Sequence, residues 1–119
     1  MSELIELVKT DAIAQVFLNR PQAYNAFNLD LVSQLTSRLT TLAGDDSVKG
    51  VVVTGRGKAF CAGGDLKWAL GYPARPGAAF HSLASHFHLA VLEIRRMKKP
   101  VVAAVNGVAA GGGFSMALA

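Results

Sequence analysis

Two glycine-rich segments are the parts of this sequence whose residue types and spacing point most directly to chemistry. They read CAGGDL, residues 61–66, and AAGGGF, residues 109–114. Each follows a predicted buried strand and precedes a predicted helix, and the first N–H groups of a helix carry partial positive charge and have no intrahelical partner. Because glycine lacks a Cβ atom, a ligand can come close to such amides. One amide from each segment could stabilise negative charge on a single oxygen; alternatively, the glycines only permit tight packing of helix on sheet.

Two better-known glycine-rich patterns do not fit the segment GRGKAF, residues 55–60. The phosphate-loop pattern requires a glycine and a hydroxyl residue where this sequence has Val52 and Ala59. The dinucleotide-binding pattern requires a third glycine where it has Phe60. Neither nucleotide-binding loop is therefore predicted.

The elements that would position the glycine-rich segments follow the order β-β-α-β-α-β-α, which indicates an α/β fold. The predicted strands cover residues 4–8, 12–18, 48–55 and 101–105. The predicted helices cover residues 29–43 and 78–96, with a short helix near Asp65 and another after the glycine triplet. The last two strands are rich in valine without alternation, so we expect both of their faces to be covered, as in a parallel sheet.

Both long helices have a predicted apolar face. Asn28 is a favourable N-cap for the first and Gly44 a favourable C-terminal stop. Its apolar side chains are spaced three and four residues apart: Val32, Leu35, Leu39 and Leu42. The second is expected to pack through Phe80, Leu83, Phe87, Val91 and Ile94. The basic cluster that follows is typical of a helix C-terminus rather than of a phosphate, membrane or nucleic-acid site: Arg95, Arg96, Lys98 and Lys99.

The composition limits the class of protein. The 119 residues carry a net charge of +4, with 51% hydrophobic and 17% charged residues, so we expect at most one domain, with doubly covered strands or an apolar partner surface. A single cysteine excludes an internal disulfide and fits a reducing, cytoplasmic compartment. The N-terminus lacks the basic and apolar regions of a signal peptide. Asn106 and four glycines within residues 101–119 favour a buried strand and helix over a membrane span.

Three segments occur in an order that resembles the crotonase superfamily, the enoyl-CoA hydratases and isomerases. They are NRPQAYNAFN at residues 19–28, GRGKAFCAGGDL at 55–66 and KKPVVAAVNGVAAGGGFSMALA at 98–119. The resemblance implies a spiral of ββα units, an acyl-CoA substrate and stabilisation of its thioester enolate. It also implies that residues 1–119 form the N-terminal part of the core domain. The C-terminal half and the trimerisation helices would lie outside these residues.

The resemblance further implies which residues form the site. It places the two oxyanion-hole amides on Gly64 and Gly112, and it brings coenzyme A as part of the substrate, with no permanently bound cofactor, no metal and no nucleic acid. Trimers or hexamers of the full-length protein are implied as well. The residues expected along coenzyme A are Gln22, Ala23, Tyr24, Ala62, Gly63, Gly64, Asp65 and Leu66.

One position departs from the pattern of the hydratases. They carry a catalytic glutamate two residues after the glycine triplet, where this sequence has Ser115. A serine hydroxyl does not act as a general base near neutral pH without a partner base. Ser115 is expected either to position water or substrate, or to cap and pack. Hydration or double-bond isomerisation remains the predicted reaction; ring opening, thioester hydrolysis and acyl-CoA binding without catalysis are the alternatives.

Four other side chains near the first glycine-rich segment have competing interpretations. Asp65 is expected to be the N-cap of the short helix rather than an acid near the thioester. Cys61 has no basic sequence neighbour, so we expect a core residue rather than a nucleophile. Trp68 and Tyr72 could line an acyl pocket or pack in the core.

The three histidines do not form a predicted metal site. On a helix, His86 and His88 point in different directions, and His81 lies five residues before His86. Surface or flanking positions are the better interpretation.

Overall fold

The structure is a computed structural model that describes residues 3–73 and 75–119. Its strands are β1 (Ile5–Thr10), β2 (Ile13–Leu18), β3 (Gly50–Gly55), β4 (Ala59–Cys61), β5 (Val101–Ala103) and β6 (Val108–Ala109). Its helices are α1 (Leu29–Ala43), α2 (Leu66–Leu70), α3 (Pro76–Arg96) and α4 (Gly112–Leu118), with a 3₁₀ turn at Pro21–Ala23.

The main sheet has the strand order β1-β2-β3-β5. Strands β1 and β2 form an antiparallel hairpin whose turn places Asp11 at φ 55°. Strand β3 is parallel to β2 and to β5. Parallel neighbours require a crossover connection, and α1 supplies it between β2 and β3. The predicted α/β layering and the parallel pairing of β3 are therefore observed.

A second, two-stranded sheet was not predicted from the sequence. It pairs β4 with β6 in parallel, with Ala59 opposite Val108 and Cys61 opposite Ala109. Strands of three and two residues are too short to show a hydrophobic period. This small sheet matters for the site because each of its strands leads directly into one glycine-rich segment.

Helix α1 has the predicted bounds and the predicted N-cap. The Asn28 Oδ1 atom accepts a hydrogen bond of 2.9 Å from the Leu31 N–H, and Gly44 is the C-cap. Burial of each of its large apolar side chains stabilises the fold by about 1.5–3 kcal/mol relative to exposure. The buried residues are Leu31, Val32, Leu35, Leu39 and Leu42.

Helix α3 differs from the prediction in its start and in its buried face. It begins at Pro76, since proline fits the first turn of a helix. Its buried residues are Ala79, Leu83, Ala90 and Glu93. Of the predicted face Leu83 is buried, and Phe80, Phe87 and Ile94 are half-buried and pack against the core. Phe80 and Phe87 also border a pocket.

Strand β5 was wrongly predicted to be covered on both faces and to reach Val105. It ends at Ala103, and Val102 and Val105 are 56% and 52% exposed. The reason is its position, because β5 is an edge strand of the main sheet. The neighbouring Val108, Phe114 and Leu118 are also exposed.

The basic cluster at the end of α3 divides between two helices. Arg95 and Arg96 lie in the last turn of α3, as predicted. Lys99 instead donates through its Nζ atom to the carbonyl oxygens of Leu42 and Asp45, at the C-terminal end of α1. Within residues 3–73 and 75–119, no helix is long and apolar enough to cross a membrane.

Candidate active site

The fold brings the two glycine-rich segments into contact. After the β4–β6 pair, the Ala110 N–H donates to the Cys61 carbonyl oxygen over 3.0 Å. Further along, a Cβ atom built on Gly63 would lie only 2.9 Å from the Ala110 carbonyl oxygen, and one on Gly111 would lie 3.7 Å from the Gly63 Cα. The backbones therefore touch, and a side chain at Gly63 would force them apart.

The glycine triplet has a different requirement at each position. Gly111 has φ 54° and ψ −127°, a backbone conformation that side-chain-bearing residues rarely adopt. A Cβ on Gly113 would overlap the Cys61 carbonyl oxygen and lie 2.7 Å from the Cys61 Cβ. Gly112 stands between them as the first residue of α4. The outer two glycines thus permit the turn and the packing that place the Gly112 amide.

The amides of Gly64 and Gly112 have no hydrogen-bond acceptor among the residues that the structure describes. Their neighbours do: the Asp65 N–H donates to Phe27 and the Gly113 N–H donates to Ala110, both over 2.9 Å. Gly64 is exposed and Gly112 half-buried. Gly64 lies in the loop before the N-cap of α2 rather than at the helix start. Two donors are consequently free to meet a ligand.

Both glycines line one open pocket of about 210 Å³. The side chains around it are all apolar: Phe27, Phe80, Leu83, Ala84 and Phe87. The sequence indicated three of these, Phe80, Leu83 and Phe87, but as a packing face of α3. Phe27 was missed, although it adjoins the Asn28 N-cap. An apolar wall beside two free amides suits a ligand with an apolar group next to a carbonyl oxygen.

The residues expected along coenzyme A lie on two backbone segments that run side by side. The Ala62 N–H donates to Tyr24 over 3.0 Å, and the Phe27 N–H donates to Gly63 over 2.7 Å. Tyr24 has φ 53° and a side chain that is 59% exposed. The structure therefore places Tyr24 beside Ala62, and Phe27 beside Gly63.

A buried asparagine that the sequence prediction missed joins the segment that contains Tyr24 to the strand and loop before Cys61. Asn25 is 0% exposed, and its Nδ2 group donates to the carbonyl oxygens of Arg56 and Ala59 over 3.0 and 2.9 Å. Its Oδ1 atom accepts from the Arg20 N–H over 2.8 Å. With φ 56° it also makes the turn itself. A polar residue within an apolar stretch was the available signal, because buried amides are almost always hydrogen-bonded.

Asp65 is the N-cap of α2, as predicted, and it also forms an ion pair. Its Oδ1 atom accepts from the Trp68 N–H over 3.1 Å, and its Oδ2 atom lies 2.7 Å from Arg20 Nη1. Arg20 also donates to the Ala26 carbonyl oxygen. Burial alone would raise the pKa of Asp65, but the hydrogen bonds from Arg20 and Trp68 outweigh it and lower the pKa below the ordinary value.

Two candidate reactive side chains are not placed for chemistry at the pocket. Ser115 is exposed on α4, and the described lining of the pocket does not include it. Cys61 is fully buried, and this burial raises the pKa of its thiol to about 11. Its Sγ atom donates to the Asn25 carbonyl oxygen over 3.1 Å. Cys61 is the core residue that was predicted, and it is also the residue that joins the two glycine-rich segments.

The remaining candidates lie away from the pocket. Trp68 packs against the core, and the Tyr72 ring contacts it edge-on with 5.2 Å between centroids. Across residues 3–73 and 75–119, no group of three or more histidine, cysteine or acidic side chains could hold a metal ion.

Comparison with known proteins agrees with this geometry. The sequence profile of the family described as enoyl-CoA hydratase/isomerase matches residues 8–119. The chain is 36% identical over 116 residues to 4-chlorobenzoyl coenzyme A dehalogenase-2 of an Arthrobacter species, which covers 97% of this chain and 42% of that protein. It is 37% identical over 118 residues to crotonyl-CoA hydratase of Syntrophomonas wolfei, covering 98% of this chain and 44% of that protein.

The structural comparison confirms the predicted fold class. The chain superposes with a TM-score of 0.90 on the crystal structure of enoyl-CoA hydratase from Bacillus anthracis, at 31% identity, covering 98% of this chain and 45% of that one. The chain thus spans less than half the length of these proteins. With a family match over nearly all of its residues and a shared fold, the chain belongs to the enoyl-CoA hydratase/isomerase family.

Proposed function

We propose that this chain holds the thioester carbonyl of an acyl-CoA substrate between the amides of Gly64 and Gly112. The two amides would donate hydrogen bonds to the carbonyl oxygen and stabilise the negative charge that it gains as an enolate forms. Such donors act mainly on the transition state, because the charge on the oxygen is greatest there.

The observation that carries the proposal is that Gly64 and Gly112, from two separate loops, line the same pocket. Gly64 and Gly112 come from separate loops, neither amide has an acceptor among the described residues, and both border the same apolar space. The relatives named above act on, or are named for, coenzyme A thioesters, which supports a thioester as the ligand.

Coenzyme A would lie along 22–24 and the backbone of 62–66. These segments are adjacent, and the exposed Tyr24 and Leu66 side chains leave room for an adenine and a pantetheine arm. Coenzyme A arrives with the substrate, so no permanently bound cofactor is proposed. The exposed apolar side chains of β5 and α4 support a trimer or hexamer of the full-length protein, and the unpaired Cys61 is compatible with the cytoplasm.

Hydration or isomerisation of an enoyl thioester is the proposed reaction, with its acid and base supplied from outside the described pocket lining. Ser115 is exposed and lies outside the described pocket lining. A different reaction of this family, such as ring opening or thioester hydrolysis, is the second candidate. The chain is 36% identical to a dehalogenase and 37% identical to a hydratase, and this similarity supports the second candidate.

A pair of variants at Gly112 tests the amide directly. Gly112 is the first residue of α4, where proline is tolerated, and proline replaces the N–H in question with a ring carbon. Gly112→Ala is the matched control, because its Cβ would make ordinary contacts of 3.4 Å with Phe27 and keep the amide. Removing one oxyanion donor costs about 10²–10³ in kcat.

The full-length protein would be assayed with crotonyl-CoA and longer enoyl-CoAs by loss of the conjugated absorbance. The infrared carbonyl band of bound thioester gives a readout that does not need turnover. We expect Gly112→Pro to lose the rate and the hydrogen-bond shift of this band, and Gly112→Ala to retain most of both. Equal behaviour of the two variants would refute the role of the amide. Binding of acyl-CoA without turnover of any thioester would instead support the non-catalytic alternative.

A further inference from the structure

We propose that the acyl group of the substrate carries an aromatic ring within one carbon of the thioester carbonyl. This inference rests on the proposed function, since it takes the carbonyl oxygen to lie at the amides of Gly64 and Gly112. The part of the acyl group next to that oxygen would contact the aromatic side chains of the pocket.

Three phenylalanine rings surround the place where the acyl group would begin. A Cβ atom on Gly64 would lie 3.0 Å from Phe80 Cε1, and one on Gly112 would lie 3.4 Å from Phe27 Cε2 and 3.8 Å from Phe87 Cζ. The rings therefore stand beside the Cα atoms of Gly64 and Gly112, and Phe80 and Phe87 are more open to a ligand than Phe27, which is 2% exposed. An acyl group meets them with its first few atoms rather than with the end of a long chain.

The rings are arranged as interacting aromatic groups. The centroids of Phe27 and Phe87 are 5.1 Å apart and their planes are tilted by 48°. Aromatic rings attract one another in offset or edge-to-face contacts, beyond the effect of burying their surface. A ring on the substrate gains this attraction chiefly from Phe80 and Phe87, which are half-buried, whereas a linear acyl chain gains only burial.

The space is large enough for a ring and its carbonyl group. The pocket measures about 210 Å³, and a protein cavity of about 150 Å³ lined by aliphatic and phenylalanine side chains binds benzene. Leu83 and Ala84 complete an apolar wall with no polar side chain among the described lining residues. A hydroxylated or charged acyl group would lose hydration here without gaining a partner.

The test compares binding of phenylacetyl-CoA, cyclohexylacetyl-CoA and free coenzyme A to the full-length protein by calorimetry. The two thioesters match closely in size, and only the first has an aromatic ring. We expect phenylacetyl-CoA to bind about five- to fiftyfold more tightly than cyclohexylacetyl-CoA, the combined effect of two or three ring contacts.

Three variants test whether the preference for phenylacetyl-CoA comes from the phenylalanine rings of the pocket. Phe80→Leu and Phe87→Leu keep apolar volume but remove a ring, and each should reduce the preference for phenylacetyl-CoA by about two- to tenfold. Leu89→Ala is the control on the same helix, since Leu89 is 52% exposed and outside the described pocket lining. It should leave the preference unchanged. Unfolding midpoints would confirm that each variant is folded.

The possible outcomes separate this inference from the proposed function. If both thioesters bind equally and more tightly than coenzyme A, the aromatic preference is refuted while the acyl-CoA site stands. If neither thioester binds more tightly than coenzyme A, the pocket does not hold the acyl group and the inference is also refuted. The role of the Gly112 amide is judged separately, by the proline variant.

Discussion

The two loops that present the free amides are built by opposite means. The first, 62–65, is held by polar groups: backbone hydrogen bonds to Tyr24 and Phe27 and the ion pair of Arg20 with Asp65. The buried Asn25 anchors the neighbouring segment to residues 56–59. The second, 110–113, depends on glycines that have no side chain. Gly111 adopts a backbone conformation that other residues rarely adopt, and Gly113 packs closely against Cys61.

This difference predicts different responses to mutation. A loop held by several hydrogen bonds loses stability in steps and depends on pH where one partner is a carboxylate. A loop held by close packing should lose stability abruptly on substitution, because an added methyl group either fits or displaces the backbone. Substitutions in the two loops should therefore separate into graded and abrupt effects.

The largest effect is expected from Gly113→Ala. The new Cβ would overlap backbone and side-chain atoms of Cys61, which are not free to move. Overpacking costs typically about 1–3 kcal/mol and more where backbone is displaced, so we expect at least 3 kcal/mol of stability to be lost, measured by denaturant unfolding. Gly77→Ala is the control, because a Cβ there meets nothing within 4 Å. A Gly113→Ala protein as stable as wild type would contradict packing as the support of the second loop.

The next effect is expected from Asn25→Ala. It removes the hydrogen bonds of the Arg20 N–H and the Arg56 carbonyl oxygen, leaves the Ala59 carbonyl oxygen with the 3.2 Å bond from Asn106, and puts alanine at φ 56°. We expect a loss of about 3 kcal/mol, because each unsatisfied buried group costs about 1–3 kcal/mol. The partly exposed Asn19 makes one long hydrogen bond, and Asn19→Ala should change stability by less than about 0.5 kcal/mol. Equal losses in both variants would refute a special role for Asn25.

A smaller effect, dependent on pH, is expected from Asp65→Asn. Asparagine keeps the N-cap acceptor but removes the charge opposite Arg20, and we expect a loss of about 1 kcal/mol at pH 7. The pKa of Asp65 is lowered in the folded protein, so its charge contributes stability above about pH 4, and this contribution is lost as the pH falls through the folded pKa. The difference between wild type and variant should shrink on acidification; a constant difference would exclude the ion pair as its cause.

The smallest effect is expected in the alkylation of Cys61 when a thiol reagent is added to the folded protein. Burial raises the pKa of Cys61 to about 11, and only the thiolate reacts readily. At pH 8 we expect alkylation to occur only when the two loops separate, at a rate followed by mass spectrometry. Gly113→Ala should accelerate it far more than Asp65→Asn. Rapid alkylation of the wild type would show that the loops are not joined at Cys61.

Several elements were predictable because their signals are local. The bounds and N-cap of α1 follow from the Asn28 side chain and an apolar spacing within fifteen residues. The N-cap role of Asp65 is equally local. The β4–β6 pair and the exposed edge of β5 were not predictable, because short strands have no period and exposure depends on which neighbours a strand acquires.

By itself, the sequence determined that the turns around Gly64 and Gly112 are rich in residues without a side chain, because glycines occupy 63–64 and 111–113. Only the tertiary structure decided that these turns meet, that the Arg20–Asp65 pair holds one of them, and that phenylalanines from α3 line the pocket beside Gly64 and Gly112. The reason is physical: backbone freedom is a property of a single residue, whereas contact between distant loops is settled by how strands and helices pack together.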